Sequence, residues 1–159
     1  MIPNTHTTLA LDTTSEGFAF AVLQGNKTLL DCACSEVNKK NPQIWRGRVE
    51  KIVARYTPDL LVLPDVEDSR RGRWAKRFTL DIESFANERG IAVRRVPRRE
   101  VQERFADSGT TKHEIALAVT RLFPELISRL PRERKPWMSE DKRMSIFDAV
   151  SFALVVLKK

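Results

Sequence analysis

The chain has little of what most metal or disulfide sites are made from. Cys32 and Cys34 are its only cysteines and His6 and His113 its only histidines. No Cys/His set can therefore complete a tetrahedral zinc centre, and two thiols do not build a disulfide scaffold. Cys32 and Cys34 alternate within an apolar stretch, so a bridge between them would be strained. They read as reduced, buried and inert residues of a cytoplasmic protein. No apolar run approaches the ~18 residues that span a bilayer, so no membrane role is expected. The opening Met1-Ile2-Pro3-Asn4 lacks the charged and apolar segments of a secretory signal. Repeats and low-complexity tracts are absent too.

What remains is 159 residues, 42% hydrophobic, enough for one domain with a real core, taken as 1–159. The formal charge is +7 and the pI about 9.8. That balance favours an anionic partner such as nucleic acid, or simply keeps the protein soluble.

The hydrophobic pattern divides the chain cleanly. Leu9-Ala10-Leu11-Asp12, Phe18 to Leu23 and Thr28 to Val37 read as three strands joined by the turns Thr13–Gly17 and Gln24–Lys27. After Asn41-Pro42, residues Ile44, Val49, Ile52, Val53 and Tyr56 recur at helical spacing. Leu60-Leu61-Val62-Leu63 is a continuous apolar run, as in a strand covered on both faces. Phe78, Ile82, Phe85 and Ala86 mark the next helix, which stops at Gly90. A fifth strand runs from Ile91 to about Val96. A short helix over Arg98–Phe105 follows. Thr111 and Glu114 form a capping box for a helix with Ile115, Ala118, Val119 and Leu122 inward. Residues from Pro124 to Lys142 read as irregular, and Met144–Leu157 as a buried apolar helix. A three-strand meander followed by alternating helices and strands implies an α/β fold: a mixed five-stranded sheet with helices on both faces, in RNase H-like order.

Three acids stand in apolar surroundings. Asp12 ends the first strand, Asp65 follows the fourth, and Asp148 lies in the last helix. Each has a plain structural explanation: a turn, a solvent-facing strand end, a capping interaction at the helix start. In the inferred topology they converge. Carboxylates that close repel one another and call for a cation. Mg²⁺, with Mn²⁺ as substitute, suits such an all-oxygen site. Two ions about 4 Å apart can drive phosphodiester cleavage.

These segments resemble the RuvC family of Holliday-junction resolvases. Leu9–Thr14 followed by Gly17–Val22 is similar to its first motif, Pro58–Asp65 to its second, and Phe147–Leu154 to its last. The resemblance covers nearly the whole chain and implies a Mg²⁺-dependent endonuclease working as a homodimer on branched DNA. It implies Asp12, Asp65 and Asp148 as metal ligands and Lys112 as the lysine near the cleaved phosphate. The sequence departs from the pattern twice. Pro64 stands where the second acid usually is, leaving Asp65 one place late, with Glu67 of the same parity as a further ligand candidate. Ser145 stands where an acid often precedes the last Asp, and Asp141 would reach the site only from the loop. The first motif also resembles the tRNA threonylcarbamoyl-modification proteins, but their Gly-rich segment after the fourth strand is missing. The pre-ribosomal-RNA nucleases share the fold.

Arg70, Arg71, Arg73, Trp74, Lys76 and Arg77 follow the fourth strand with no acid among them. They would hold phosphates in a salt-sensitive way. Trp74 would stack on an unpaired base, or pack inward. Arg94, Arg95, Arg98 and Arg99 form a second basic cluster. Arg132, Arg134 and Lys135 form a third, whose Trp137 either extends the track or pins the loop onto the core. The alternative to a nuclease is a non-catalytic nucleic-acid-binding module on the same fold.

Overall fold

A computed structural model describes residues 5–37, 41–68 and 71–157. Strands β1 (Thr7–Thr13), β2 (Gly17–Gln24) and β3 (Thr28–Glu36) form the antiparallel meander. Then come helix α1 (Pro42–Tyr56), strand β4 (Leu60–Pro64), a 3₁₀ turn (Val66–Asp68) and helix α2 (Arg73–Glu88). Strand β5 (Ala92–Val96) and helices α3 (Arg98–Arg104), α4 (Lys112–Leu122) and α5 (Met144–Leu157) complete the described chain, with a 3₁₀ segment at Pro124–Arg129. The sheet order is β3-β2-β1-β4-β5. β4 runs parallel to both β1 and β5. This is the mixed five-stranded sheet expected.

The alternation of side chains along β1 divides the core in two. Leu9 and Leu11 join Val22, Leu61 and Leu63 against α1 and α2, where Trp45, Val49, Phe78, Ile82 and Phe85 are buried. Ala10, Ala19, Ala21 and Val62 face the other way, onto α4 and α5. Their small side chains let α5 lie close to the sheet. That explains why α5 is apolar almost all round: one side meets the sheet and the other meets α3 and α4. The Arg94 and Arg95 side chains on edge strand β5 blunt it against pairing with another sheet.

Several expectations needed correction. On α1 the inward residue is Trp45, fully buried, while Ile44 is 44% exposed. The large indole fills the space under Phe18 and Phe78. On α4, Leu122 is 50% exposed and the neighbouring Phe123 takes the inward place. Part of the segment expected to be irregular forms the Pro124–Arg129 3₁₀ helix. Cys32 is buried but Cys34 is exposed. Arg129 reaches Cys32 from that helix and covers it, while the exposed Cys34 thiol donates to the Lys142 carbonyl at 3.3 Å. Burial still pushes both thiols up, against the opposing charge of Arg129.

The turn after Asp12 is held by Gly17. A Cβ there would lie 1.9 Å from the Ser35 carbonyl oxygen, on a backbone at φ +157°. Backbone in a paired strand has no room to yield. Gly17→Ala should therefore lose about 2 kcal/mol or more of unfolding free energy. Chemical denaturation measures it, and a loss below about 0.5 kcal/mol would show that β2 and β3 can part there at little cost.

Candidate active site

Parity decides where Asp12 points. It shares a face with Ala10, so its carboxylate lies on the α5 side of the sheet, and α5 brings Asp148. Both side chains are nearly fully buried. Burial pushes the Asp148 carboxyl up to about 6, and the Asp12 charge adds to the push.

Protein cations surround them. The Arg71 guanidinium donates to Asp12 Oδ1 and lies over the Phe152 ring, 5.9 Å from its centroid. Lys112 Nζ is 3.2 Å from Asp148 Oδ2 and Arg98 Nη1 is 3.8 Å from Asp148 Oδ1. Lys112 sits at the start of α4, fixed by the Thr111–Glu114 capping box. Its ammonium also meets Glu140 Oε1 at 3.0 Å and Oε2 at 3.3 Å. Burial pulls that ammonium down, but Asp148 and Glu140 together outweigh it and hold it above its ordinary value. Glu140 was missed in the sequence, where Asp141 drew attention instead. Asp141 turns to Arg143 at 2.8 Å. No local pattern distinguishes these two adjacent acids; only the fold of the loop does.

The acids after β4 stand elsewhere. β1 and β4 pair with Ala10 level with Val62, so Pro64 is the residue level with Asp12. A continued strand would turn Asp65 to the opposite face. Its Oδ1 instead accepts from the Glu67 backbone N–H at 3.2 Å, and its own N–H donates to the Val96 carbonyl. Glu67 has an 80% exposed side chain and pairs with Arg95 at 3.5 Å. Among the described residues no three of Asp, Glu, His or Cys are grouped so as to hold a metal. The converging set of Asp12, Asp65 (or Glu67) and Asp148 is thus reduced to Asp12 and Asp148, because Pro64 takes the strand position level with Asp12 and Asp65 turns to the Glu67 backbone.

The basic segment is partly turned inward. Arg70 lies outside the described residues. Arg71 is engaged with Asp12. Trp74 packs edge-on to Trp45 with ring centroids 5.6 Å apart, so it belongs largely to the core between α1 and α2. Arg73 and Arg77 are exposed and Lys76 is half-buried. No acid lies in the first turn of α2 and no side chain caps it. Its start therefore concentrates positive charge on a helix end that already repels it. The Thr13 and Thr79 hydroxyls meet at 2.7 Å and tie that helix to the end of β1.

The raised Asp148 carboxyl carries a pH prediction for the metal-free protein. Above about pH 6 the folded chain holds a buried anion, a cost the unfolded chain, with an ordinary value of 3.8, does not bear. As pH falls through 6 the folded form takes up a proton first, so stability should rise relative to an uncharged variant. Asp148→Asn should therefore be more stable than wild type at pH 7.5, by about 1–3 kcal/mol. The gap should close near pH 4. Denaturation in EDTA at both pH values tests this, and an Asn variant less stable at pH 7.5 would contradict it.

No protein-family model and no curated protein matches the chain. Solved structures do. Thermus thermophilus RuvC in complex with a Holliday junction substrate superposes with a TM-score of 0.70 at 17% identity, over 94% of this chain and 91% of that one. A second Thermus thermophilus RuvC structure gives 0.67 at 18%, over 94% and 92%. Fowlpox virus resolvase with Holliday junction DNA gives 0.56 at 13%, over 94% and 99%. At these identities the likeness is one of fold: the chain shares the fold of these RuvC-type resolvase structures, a mixed five-stranded sheet with helices.

Proposed function

We propose that this protein is an endonuclease of branched DNA in which Asp12 and Asp148 form the reacting centre. The observation that carries the reading is two buried carboxylates, one from the first strand and one from the last helix, held by Arg71 and by Lys112 with Arg98. A buried pair of like charges is costly unless it serves a function. Two of the three resolvase structures described above are complexes with Holliday junctions, which supports branched DNA as the substrate class.

The donor chemistry fits one hard cation and not two. Asp12 and Asp148 supply carboxylates and the buried Ser145 a hydroxyl, while Pro64 supplies no donor. Mg²⁺ accepts few protein ligands and keeps waters, so Asp12 and Asp148 would hold a single ion. When bound, such an ion supplies an activated water and charge neutralisation at the phosphate. The chain's own residues do the rest. Lys112 and Arg98 lie where they can neutralise charge growing on the phosphate oxygens. Arg71 has a choice of partners: a phosphate offers its guanidinium a two-pronged acceptor in place of Asp12. Substrate arrival would thereby free Asp12 for the metal. Arg73, Lys76 and Arg77 extend the phosphate-binding surface, with Arg70 beside them in sequence. A four-way junction presents two equivalent cuts, so we expect a homodimer in solution. No described helix is long and apolar enough to cross a membrane.

The second reading is a nucleic-acid-binding module without cleavage. The satisfaction of both acids by protein cations favours it. One experiment separates the two. Four-way junctions and linear duplexes are incubated with wild type and Asp12→Asn, in Mg²⁺, Mn²⁺ or EDTA, and binding is followed in parallel. The nuclease reading expects metal-dependent cutting of the junction that falls by about 100-fold or more in Asp12→Asn while binding holds within a few-fold. Salt-sensitive binding with no cutting by wild type would establish the module instead. Equal cutting by both proteins would reject this site.

A further inference from the structure

The chain has three tryptophans, and two of them serve the core. Trp45 is buried against Phe78, with ring centroids 4.2 Å apart, and Trp74 packs edge-on to Trp45. Trp137 is 80% exposed. It does not pin its loop to the core.

Its exposure is built in. The Met138 N–H donates to the Lys135 carbonyl at 3.0 Å, closing a β-turn over Lys135-Pro136-Trp137-Met138. Proline in the second place fixes the backbone, and Trp137 occupies the third, at the corner. Arg134 Nη1 reaches the Met138 carbonyl at 3.4 Å across the same turn. Both N- and C-terminal flanks are specific. Arg132, Arg134 and Lys135 precede the indole, all exposed, with Glu133 the one acid among them. Glu140 follows it and bridges to Lys112, whose ammonium touches Asp148. Two residues separate Trp137 from Glu140, so their Cα atoms are at most about 11 Å apart. Behind the turn lies a cleft of about 560 Å³ whose walls include Lys112, Met138, Glu140 and Arg143.

A water-exposed indole at the corner of a proline-fixed turn, preceded by cations and joined through Glu140 and Lys112 to Asp148, matches the chemistry of an unpaired nucleotide. The base offers a π-face to the indole and the phosphates offer acceptors to the arginines. A protein partner would not need the cations, and a base stacked on both sides within a duplex has no free face. We propose that Trp137 is a stacking platform for one unpaired nucleotide next to the Asp12–Asp148 site, with Arg132, Arg134 and Lys135 holding the flanking phosphates. This rests on the nucleic-acid reading of that site. It transfers to this loop the role that Trp74, packed inward, is poorly placed to fill.

The test uses the full chain in EDTA, so that cutting does not interfere. Three DNA probes are titrated: a four-way junction with an unpaired nucleotide at its centre, a single strand, and a blunt duplex. Tryptophan emission and fluorescence anisotropy are both read. The proposal expects the junction and the single strand to quench emission in wild type. Trp137→Phe should abolish most of that quenching and keep most of the affinity. Trp137→Ala should weaken those two probes by about 10- to 100-fold and the duplex by less than about twofold. The indole lies in solvent, so Trp137→Ala should keep the far-UV dichroism of wild type. Unchanged affinity of Trp137→Ala for all three probes, or an equal loss on the duplex, overturns the stacking role and leaves the nucleic-acid reading standing. Failure of wild type to bind any probe removes that reading and this inference with it.

Discussion

Two negative charges are buried against each other where β1 ends and α5 crosses, and most of the surrounding architecture answers that one repulsion. Neither Asp12 nor Asp148 can be hydrated well, so each has drawn a cation to it. Those cations are in turn placed by their own elements: Lys112 by the capped start of α4, Arg98 by the start of α3, Arg71 by the approach to α2. Glu140 then balances Lys112 from a loop that is otherwise exposed. Charge alternates outward from the pair, and each layer ties a further segment of chain to the same point. A network of this kind tolerates the loss of an outer member better than that of an inner one, since only the inner ones lack water to replace a partner.

The sheet makes the encounter possible by being thin on one side. Alanines at positions 10, 19 and 21 leave α5 little to stand off from, while the leucines of β1 fill the opposite face together with the aromatic cluster of Trp45 and Phe78. The same strand therefore serves two environments of different depth. Asp12 falls on the thin side, within reach of the helix that carries its counterpart.

Much of this was legible in the residues. Element order, the α/β class and the sheet arrangement follow from hydrophobic spacing, because continuous apolar runs and capping residues are local signals. Asp12 and Asp148 each had an ordinary local explanation, a turn and a capping interaction, and only the element order suggested that the first strand and the last helix would bring them to the same side of the sheet. The acids after β4 were harder. Parity places Asp65 off the face of Asp12, and a bulge at Pro64 would have restored it; the sequence admits both, and the register chose the first. Glu140 was invisible because long-range ion pairs leave no periodic trace. The exposure of Trp137 and the burial of Trp74 were each one of two open alternatives. An indole in a basic segment has the same local appearance in either case, and tertiary packing against Trp45 decides between them. Ile44 and Leu122 turned outward for a related reason: helical spacing marks a face but not which of two adjacent bulky residues fits the space beneath it.

The alternation in β1 also governs how this strand can change over generations. Adding or removing one residue upstream of Asp12 would rotate the carboxylate into the aromatic layer and swing a leucine toward the arginines and lysine. Length variation there is thus restricted to even steps, and even those would slide the strand along its neighbours. Turns and the exposed loop before α5 face no such arithmetic. In drifting relatives, indels should accumulate in those connections and be purged from the first strand, whatever happens to the identity of its individual side chains.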